Sequence, residues 1–283
     1  MPFDAAAMTK WSAKMLNDLR DAHVFKEMTN QDYEGEVRFA ANLKIFMVPE
    51  VTTTTYARGD TITYNRPTPG ELNLVIDQRN IFALKIDKLE QQLASAGGLA
   101  LWEKTIRRGA FQLADDVDDF IRDAMDSGTP SANTLTSRTI GLGLNASAYE
   151  LLVDLSTTMD EDNIPREGRH VAISPAYKGF LTKDPRWTSY NTAEAVKNIR
   201  GAPIGKVEDL EVHVSNNLAV SGTTFTIQAA WDGAFTYGEQ LEELRHIPVT
   251  AGDKDERVDS ELVFGGKVIV PQGLANCDVQ FAT

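Results

Sequence analysis

The stretch GGLALWEKTIRRGAFQLADDVDDFIRDAMDSG, residues 97–128, carries the strongest helical signal in the chain. Leu99, Trp102, Ile106, Ala110, Leu113, Val117, Phe120 and Ala124 recur at steps of three and four, which places them on one helical face. Gly97-Gly98 breaks the chain before it, and Asp126-Ser127-Gly128 offers a stop. At 1.5 Å per residue the helix spans roughly 40 Å, well beyond the globular average. Such a length suits a spine along an elongated body. Its charges oppose the helix dipole. Lys104, Arg107 and Arg108 lie in the first half, and Asp115, Asp116, Asp118, Asp119, Asp123 and Asp126 crowd the second. A solvated face accounts for such a run, and so does an acidic end that meets a basic surface of another chain. The second reading makes Asp115 and Asp116 candidate interface residues.

Upstream of the spine the pattern changes from 3.6 to two. Val51-Thr52-Thr53-Thr54-Thr55-Tyr56 is dense in β-branched residues. Thr61-Ile62-Thr63-Tyr64 follows the turn-prone Arg58-Gly59-Asp60, and Leu72, Leu74 and Ile76 alternate with Asn73, Val75 and Asp77. Residues 51–87 therefore read as a long two-stranded hairpin with its tip near Pro67–Gly70. A lone ribbon is marginal in water and needs a surface to lie on. Ahead of it, Met8, Trp11, Met15, Leu19 and Ala22 outline an amphipathic helix over Met8–Met28. It packs either on its own domain or, as an arm, on a neighbouring molecule.

Downstream, Thr129–Leu144 is rich in Ser, Thr and Gly and reads as a connection. Ser147-Ala148-Tyr149-Glu150 is a capping-box pattern that opens a second helix. His170–Ser174 reads as a short buried strand, and Pro175 starts another helix. Further strands are expected at Gly205–Val207, Leu210–Val214, Phe225–Trp231 and Lys267–Val270. No repeat of fixed period is present. The fold class is α+β.

Composition narrows the function. The chain has 283 residues, 42% hydrophobic and 24% charged, with a net charge of −13. That balance disfavours general nucleic-acid binding and attraction to anionic membranes. Ten acidic and four basic residues fall between Ala230 and Thr283. The single cysteine, Cys277, excludes an intrachain disulfide framework. The longest apolar runs are a few residues, so no membrane span is expected. Met1–Trp11 lacks a basic segment followed by an apolar one, so no secretory signal is read.

No catalytic, cofactor or metal motif is expected. His23, His170, His213 and His246 are not at metal-ligand spacing, and His213 reads as a structural strand residue. Gly141-Leu142-Gly143-Leu144-Asn145-Ala146 imitates a dinucleotide fingerprint. Its acidic followers, Asp160, Glu161 and Asp162, precede the next strand instead of ending it, which is the wrong place to reach a ribose. Asp253–Arg257, Asp259 and Glu261 read as a solvated loop.

Three stretches, taken in order, resemble a known family. Ala148–Leu155 leads into Ile164-Pro165-Arg166-Glu167-Gly168-Arg169 and His170-Val171-Ala172-Ile173-Ser174-Pro175. Then come Gly201–Leu218, read GAPIGKVEDLEVHVSNNL, and Val263–Pro271, read VFGGKVIVP. Together they resemble the major capsid proteins of tailed bacteriophages with the Hong Kong 97-type fold. The likeness covers nearly the whole chain. It implies an N-terminal arm (1–30) and an extended loop (51–87). A peripheral domain would comprise 31–50 and 88–144, with the spine helix at 98–128. An axial domain (145–230) would surround the five-fold and six-fold centres, and C-terminal strands (231–283) would return to the peripheral domain.

The resemblance also implies partners. Copies would assemble as pentamers and hexamers of an icosahedral shell, in a virion built in the bacterial cytoplasm. The shell would enclose double-stranded DNA without sequence-specific binding. A portal, a decoration protein and a scaffolding protein are expected partners. The scaffold is expected to be a separate chain, because the sequence opens directly on the arm. Some relatives join subunits by a Lys–Asn isopeptide bond. No motif here assigns that chemistry to a particular residue, so non-covalent assembly is expected. At the loop tip, Arg66 and Glu71 are the expected intersubunit contacts. Two alternatives stand beside this reading: a cellular nanocompartment shell of the same fold, and an α+β enzyme whose site would show as a buried carboxylate pair in a deep cleft.

Overall fold

Gly98–Gly128 forms one α-helix, α1, of 31 residues, about 46 Å long. The computed structural model describes residues 23–31, 42–47, 53, 55–59, 61, 64, 70–87, 98–141, 147–184, 186–187, 204–241, 245–247 and 255–282. Ile106, Ala110, Leu113, Ala114, Val117, Ile121 and Met125 are the buried face of α1. Phe120 and Ala124, expected at its centre, flank that face instead. A stripe wider than 100° accommodates both sets.

This face packs on a four-stranded sheet. Its central strand is β12 (Asp255–Val268), 14 residues long. One edge of β12 pairs antiparallel with β3 (Gln78–Asp87). The other pairs with β10 (Phe235–Leu241) and then β11 (Arg245–Ile247). The expected solvated loop is thus corrected from Asp255 onward. Val258 and Leu262 face the spine core, and buried Glu261 is an ion-pair partner of Arg79. The acidic residues occupy strand positions between apolar ones, which a charge count does not reveal.

The ribbon also differs from its expected pairing. Its strands are β1 (Asn42–Met47) and β2 (Gly70–Val75), antiparallel with Ile45 opposite Leu72. Gly70 begins a strand. Residues 65–69, the rest of the expected tip, lie outside the described residues. Two residues past β2 the chain enters β3 and joins the body sheet. Among the described residues between 53 and 64 none is in a strand, although Arg58-Gly59 forms the expected turn with φ +106° at Gly59. β-Branched composition favours a half-buried pleated surface, and Tyr56 and Tyr64 are 62% and 88% exposed. Ile45, Leu74, Ile76 and Val263 close a small core at the ribbon base.

The second sheet has seven strands in the order β4-β13-β9-β5-β7-β6, with β8 on β9. Their spans are β4 Thr134–Ile140, β5 Arg169–Ile173, β6 Lys206–Val207, β7 Leu210–Val214, β8 Val220–Ser221, β9 Thr224–Trp231 and β13 Leu274–Phe281. So the stretch after the spine, read as a connection, contains an edge strand, parallel to β13. The last strand, β13, lies inside this sheet between β4 and β9 and does not return with β10 and β12. One face is covered by α2 (Ala148–Glu161) and α3 (Pro175–Lys183). Val171, Ile173, Ile227, Ala229, Ala275, Cys277 and Val279 point to that side. Ala172, Ala230 and Leu274 point to the spine core, the alternation that strands require.

Local chemistry fixes the helix starts. Ser147 Oγ accepts from Tyr149 N at 3.2 Å, and Ser174 Oγ accepts from Tyr177 N at 3.2 Å ahead of Pro175. Glu150 turns to Arg186 at 3.2 Å rather than back to the cap. The expected N-terminal helix lies outside the described residues as far as residue 22. From His23 the chain is a docked strap with one 3₁₀ turn, Lys26–Met28.

Candidate assembly interface

The acidic half of α1 forms a row of hydrogen-bond acceptors, and most of its members bind the same chain. Asp118 is fully buried and accepts from Val24 N at 2.9 Å and Phe25 N at 3.2 Å. Asp116 accepts from Asn80 Nδ2 of β3 at 2.9 Å. Asp115 accepts from Asn217 Nδ2, after β7, at 3.0 Å. Asp126 accepts from Asn276 Nδ2 of β13 at 2.7 Å. Asp119 and Asp123 hold Arg122, whose guanidinium also donates to Asn217 O at 2.7 Å. One helix end thus ties the strap, both sheets and a loop together. For Asp115 and Asp116 this is an intrachain role that the charge pattern does not disclose.

The strap is anchored a second time. Lys26 Nζ reaches Glu239 Oε1 at 2.5 Å, and Tyr237 donates to Glu239 Oε2 at 2.8 Å. Burial pushes the Glu239 carboxyl up, but the charges of Lys26 and His23 outweigh it and hold it below its ordinary value. His23 is buried between two carboxylates, 3.5 Å from Asp118 and 3.9 Å from Glu239. Val24, Phe25 and Met28 fill the spine core, and Asn30 bridges to Thr236. The strap is therefore docked on a buried base.

The ribbon offers the opposite character. Tyr56, Tyr64 and Val75 are exposed, with Ile81 beyond them on β3. Glu71 is about half exposed and pairs with Lys44 across the ribbon at 3.0 Å. Arg66 lies outside the described residues.

Elsewhere, a cleft of about 430 Å³ opens beside β8, β9 and β13. Its carboxylates, Asp126 and Asp278, are bonded to Asn276 and Thr226. Cys277 is buried, and desolvation raises its thiol to about 11. Both belong to the packing of β13. Among the described residues no helix is long and apolar enough to cross a membrane.

Comparison with known proteins closes the question of family. A family model described as phage capsid protein matches residues 89–276. The fold is similar to that of Mycobacterium phage Che8, at 22% identity and a TM-score of 0.68 over 90% of each chain. It is similar to the capsid of Ralstonia phage GP4, with a TM-score of 0.70 at 10% identity over 90% of this chain and 88% of that one. An encapsulin, SrpI of Synechococcus elongatus, is similar over 76% of this chain and 79% of its own, with a TM-score of 0.55 at 11% identity. The sequence finds no match among curated proteins. With two thirds of its length under the family model and the Hong Kong 97-like α+β fold around it, the chain belongs to the phage capsid protein family and is a structural major capsid protein.

Proposed function

We propose that copies of this chain assemble non-covalently, as pentamers and hexamers, into an icosahedral shell that encloses a double-stranded DNA genome. The observation that carries this reading is the ribbon. A two-stranded element with Val75 exposed on it, and with Tyr56 and Tyr64 exposed in the chain between its strands, is marginal alone and gains burial by lying over a second copy of the chain. Arg66, with Glu71, would meet charges of that neighbour. Residues 145–230 would crowd the symmetry axes, and the spine with its four-stranded sheet would form the periphery. The family likeness supports a scaffolding protein, a portal and a decoration protein as partners, with assembly in the host cytoplasm.

A net charge of −13 keeps a shell lining from gripping DNA. Strong, salt-sensitive DNA binding by the isolated subunit would contradict that part. The test of the whole is what the particles hold. Purified particles are digested with nuclease from outside, opened, and assayed for nucleic acid and for other proteins. Protected double-stranded DNA is the expected result. A single enclosed enzyme and no protected DNA would overturn the reading in favour of a nanocompartment. A ladder of linked subunits after boiling in detergent would refute non-covalent assembly.

A further inference from the structure

Two histidines 43 residues apart meet on the spine-facing side of the seven-stranded sheet. β5 and β7 run parallel in a register that puts His170 opposite Glu211 and Ala172 opposite His213. Residues opposite each other, and residues two apart, share a sheet face. All four therefore lie on the side of Ala172, which packs into the spine core. His170 Nδ1 and His213 Nε2 are 3.0 Å apart. Glu211 Oε2 is 3.8 Å from His170 Nδ1. One ligand atom from each of the three residues fits within a sphere of contacts no wider than 4.8 Å.

Around these ligands stands an outer ring of groups, in which Lys206 Nζ holds Glu211 Oε1 at 2.6 Å and leaves Oε2 on the side of His170. Asp232 Oδ1 is 2.7 Å from His170 Nε2. This bond places the proton of His170 on Nε2 and leaves the Nδ1 lone pair facing His213. Asp232 is itself fixed, because its N–H donates to Gly168 O at 2.9 Å and its carboxylate fills the space a Cβ at Gly168 would occupy. Gly168 has φ +75°, so the turn favours glycine on both counts. Glu27, on the 3₁₀ turn of the strap, is 3.8 Å from His213 Nδ1. Each imidazole thus has a carboxylate behind it, the pattern that orients metal-ligating histidines.

We propose that His170 Nδ1, His213 Nε2 and Glu211 form a binding site for one divalent transition ion of the Zn²⁺ class, with Asp232 and Glu27 as positioning residues. Tetrahedral Zn²⁺ with bonds of about 2.0–2.1 Å sets neighbouring ligand atoms about 3.4 Å apart. The 3.0 and 3.8 Å separations bracket that value. On binding, the proton between the two rings leaves His213 Nε2, and Nδ1–H takes over facing Glu27. The fourth position falls to water. Imidazole with carboxylate suits Zn²⁺, Ni²⁺ or Cu²⁺ better than Ca²⁺ or Mg²⁺. The ion would brace β5 against β7 and, through Glu27, against the strap.

The test uses the full-length chain without a histidine tag, titrated with Co²⁺ alone and then with Zn²⁺. One Co²⁺ per chain, with the intense visible absorption of a four-coordinate ion and its displacement by Zn²⁺, is expected. His213→Gln and Glu211→Gln should each weaken binding by at least about tenfold, with circular dichroism showing that the metal-free variants remain folded. Should His213→Gln fail to fold, the partly exposed Glu211→Gln decides alone. Absence of the absorption, a weak six-coordinate spectrum, or wild-type affinity in a folded variant would overturn the site.

Discussion

Asp118 ties the strap to the spine. Two backbone N–H groups of the strap end on it in a fully buried setting. Asp118→Ala leaves both donors without an acceptor, at about 1–3 kcal/mol each. We expect a loss of about 3 kcal/mol or more in denaturant unfolding, together with faster proteolytic cleavage near residues 23–31. An unchanged midpoint would show that the strap is held by packing alone. Other carboxylates set the acid response. The hydrogen bond from Arg186 holds Asp184 down to about 2 against the effect of burial. The bond from Arg169 lowers Asp160, and Glu239 is lowered as described above. For each, the unfolded chain takes up its proton at a higher pH than the folded one. Their stabilisation is therefore complete above the unfolded values, at about pH 5 and higher, and is lost as pH falls through the folded ones, which for Asp184 is about 2. Glu27 and Asp119, raised chiefly by burial, act in the opposite direction. Unfolding midpoints measured down this range should fall steadily below about pH 5; a flat profile would contradict the assignment.

At the scale of elements, the contact between α1 and β3 turns on Gly109. A Cβ there would run into the Phe82 ring. Alanine gains about 1 kcal/mol of helix propensity, but overpacking costs about 1–3 kcal/mol. Gly109→Ala should therefore destabilise, and adding Phe82→Leu should restore part of the loss. Stabilisation by Gly109→Ala alone would refute the close approach. The spine was legible because helical burial is written locally, in steps of three and four. Strand partners are not written locally. Nothing in Asn42–Met47 names Gly70–Val75 as its mate, so the ribbon was read with the wrong strand. Asp259 and Glu261 masked β12, because a charge count ignores that Arg245 and Arg79 await them. The candidate sites follow the same logic. The row of aspartates was visible, while its partners Asn80, Asn217 and Asn276 were scattered over 197 positions. The pairing of His170 with His213 depends on the register of β5 and β7, which no spacing rule reveals.

The whole molecule joins a rigid, internally tied body to a ribbon that is largely exposed. Its acidic surface keeps copies apart in bulk, so association rests on specific contacts. We propose Arg66 as one such contact, and Arg66→Glu would reverse its charge. We expect subunits of normal thermal stability whose yield of closed particles falls severalfold; normal particle yield would remove Arg66 from the interface. Each surface ion pair is worth about 1 kcal/mol or less, but symmetry repeats it in every copy. Electron microscopy of the purified full-length chain, with mass from light scattering, tests the central claim most directly. The measurement is made on the chain alone and on the chain produced together with the proposed scaffolding protein. Uniform closed particles, or five- and six-membered rings that close when scaffold is supplied, are the predicted result. A subunit that stays at 31.2 kDa under both conditions would contradict the account.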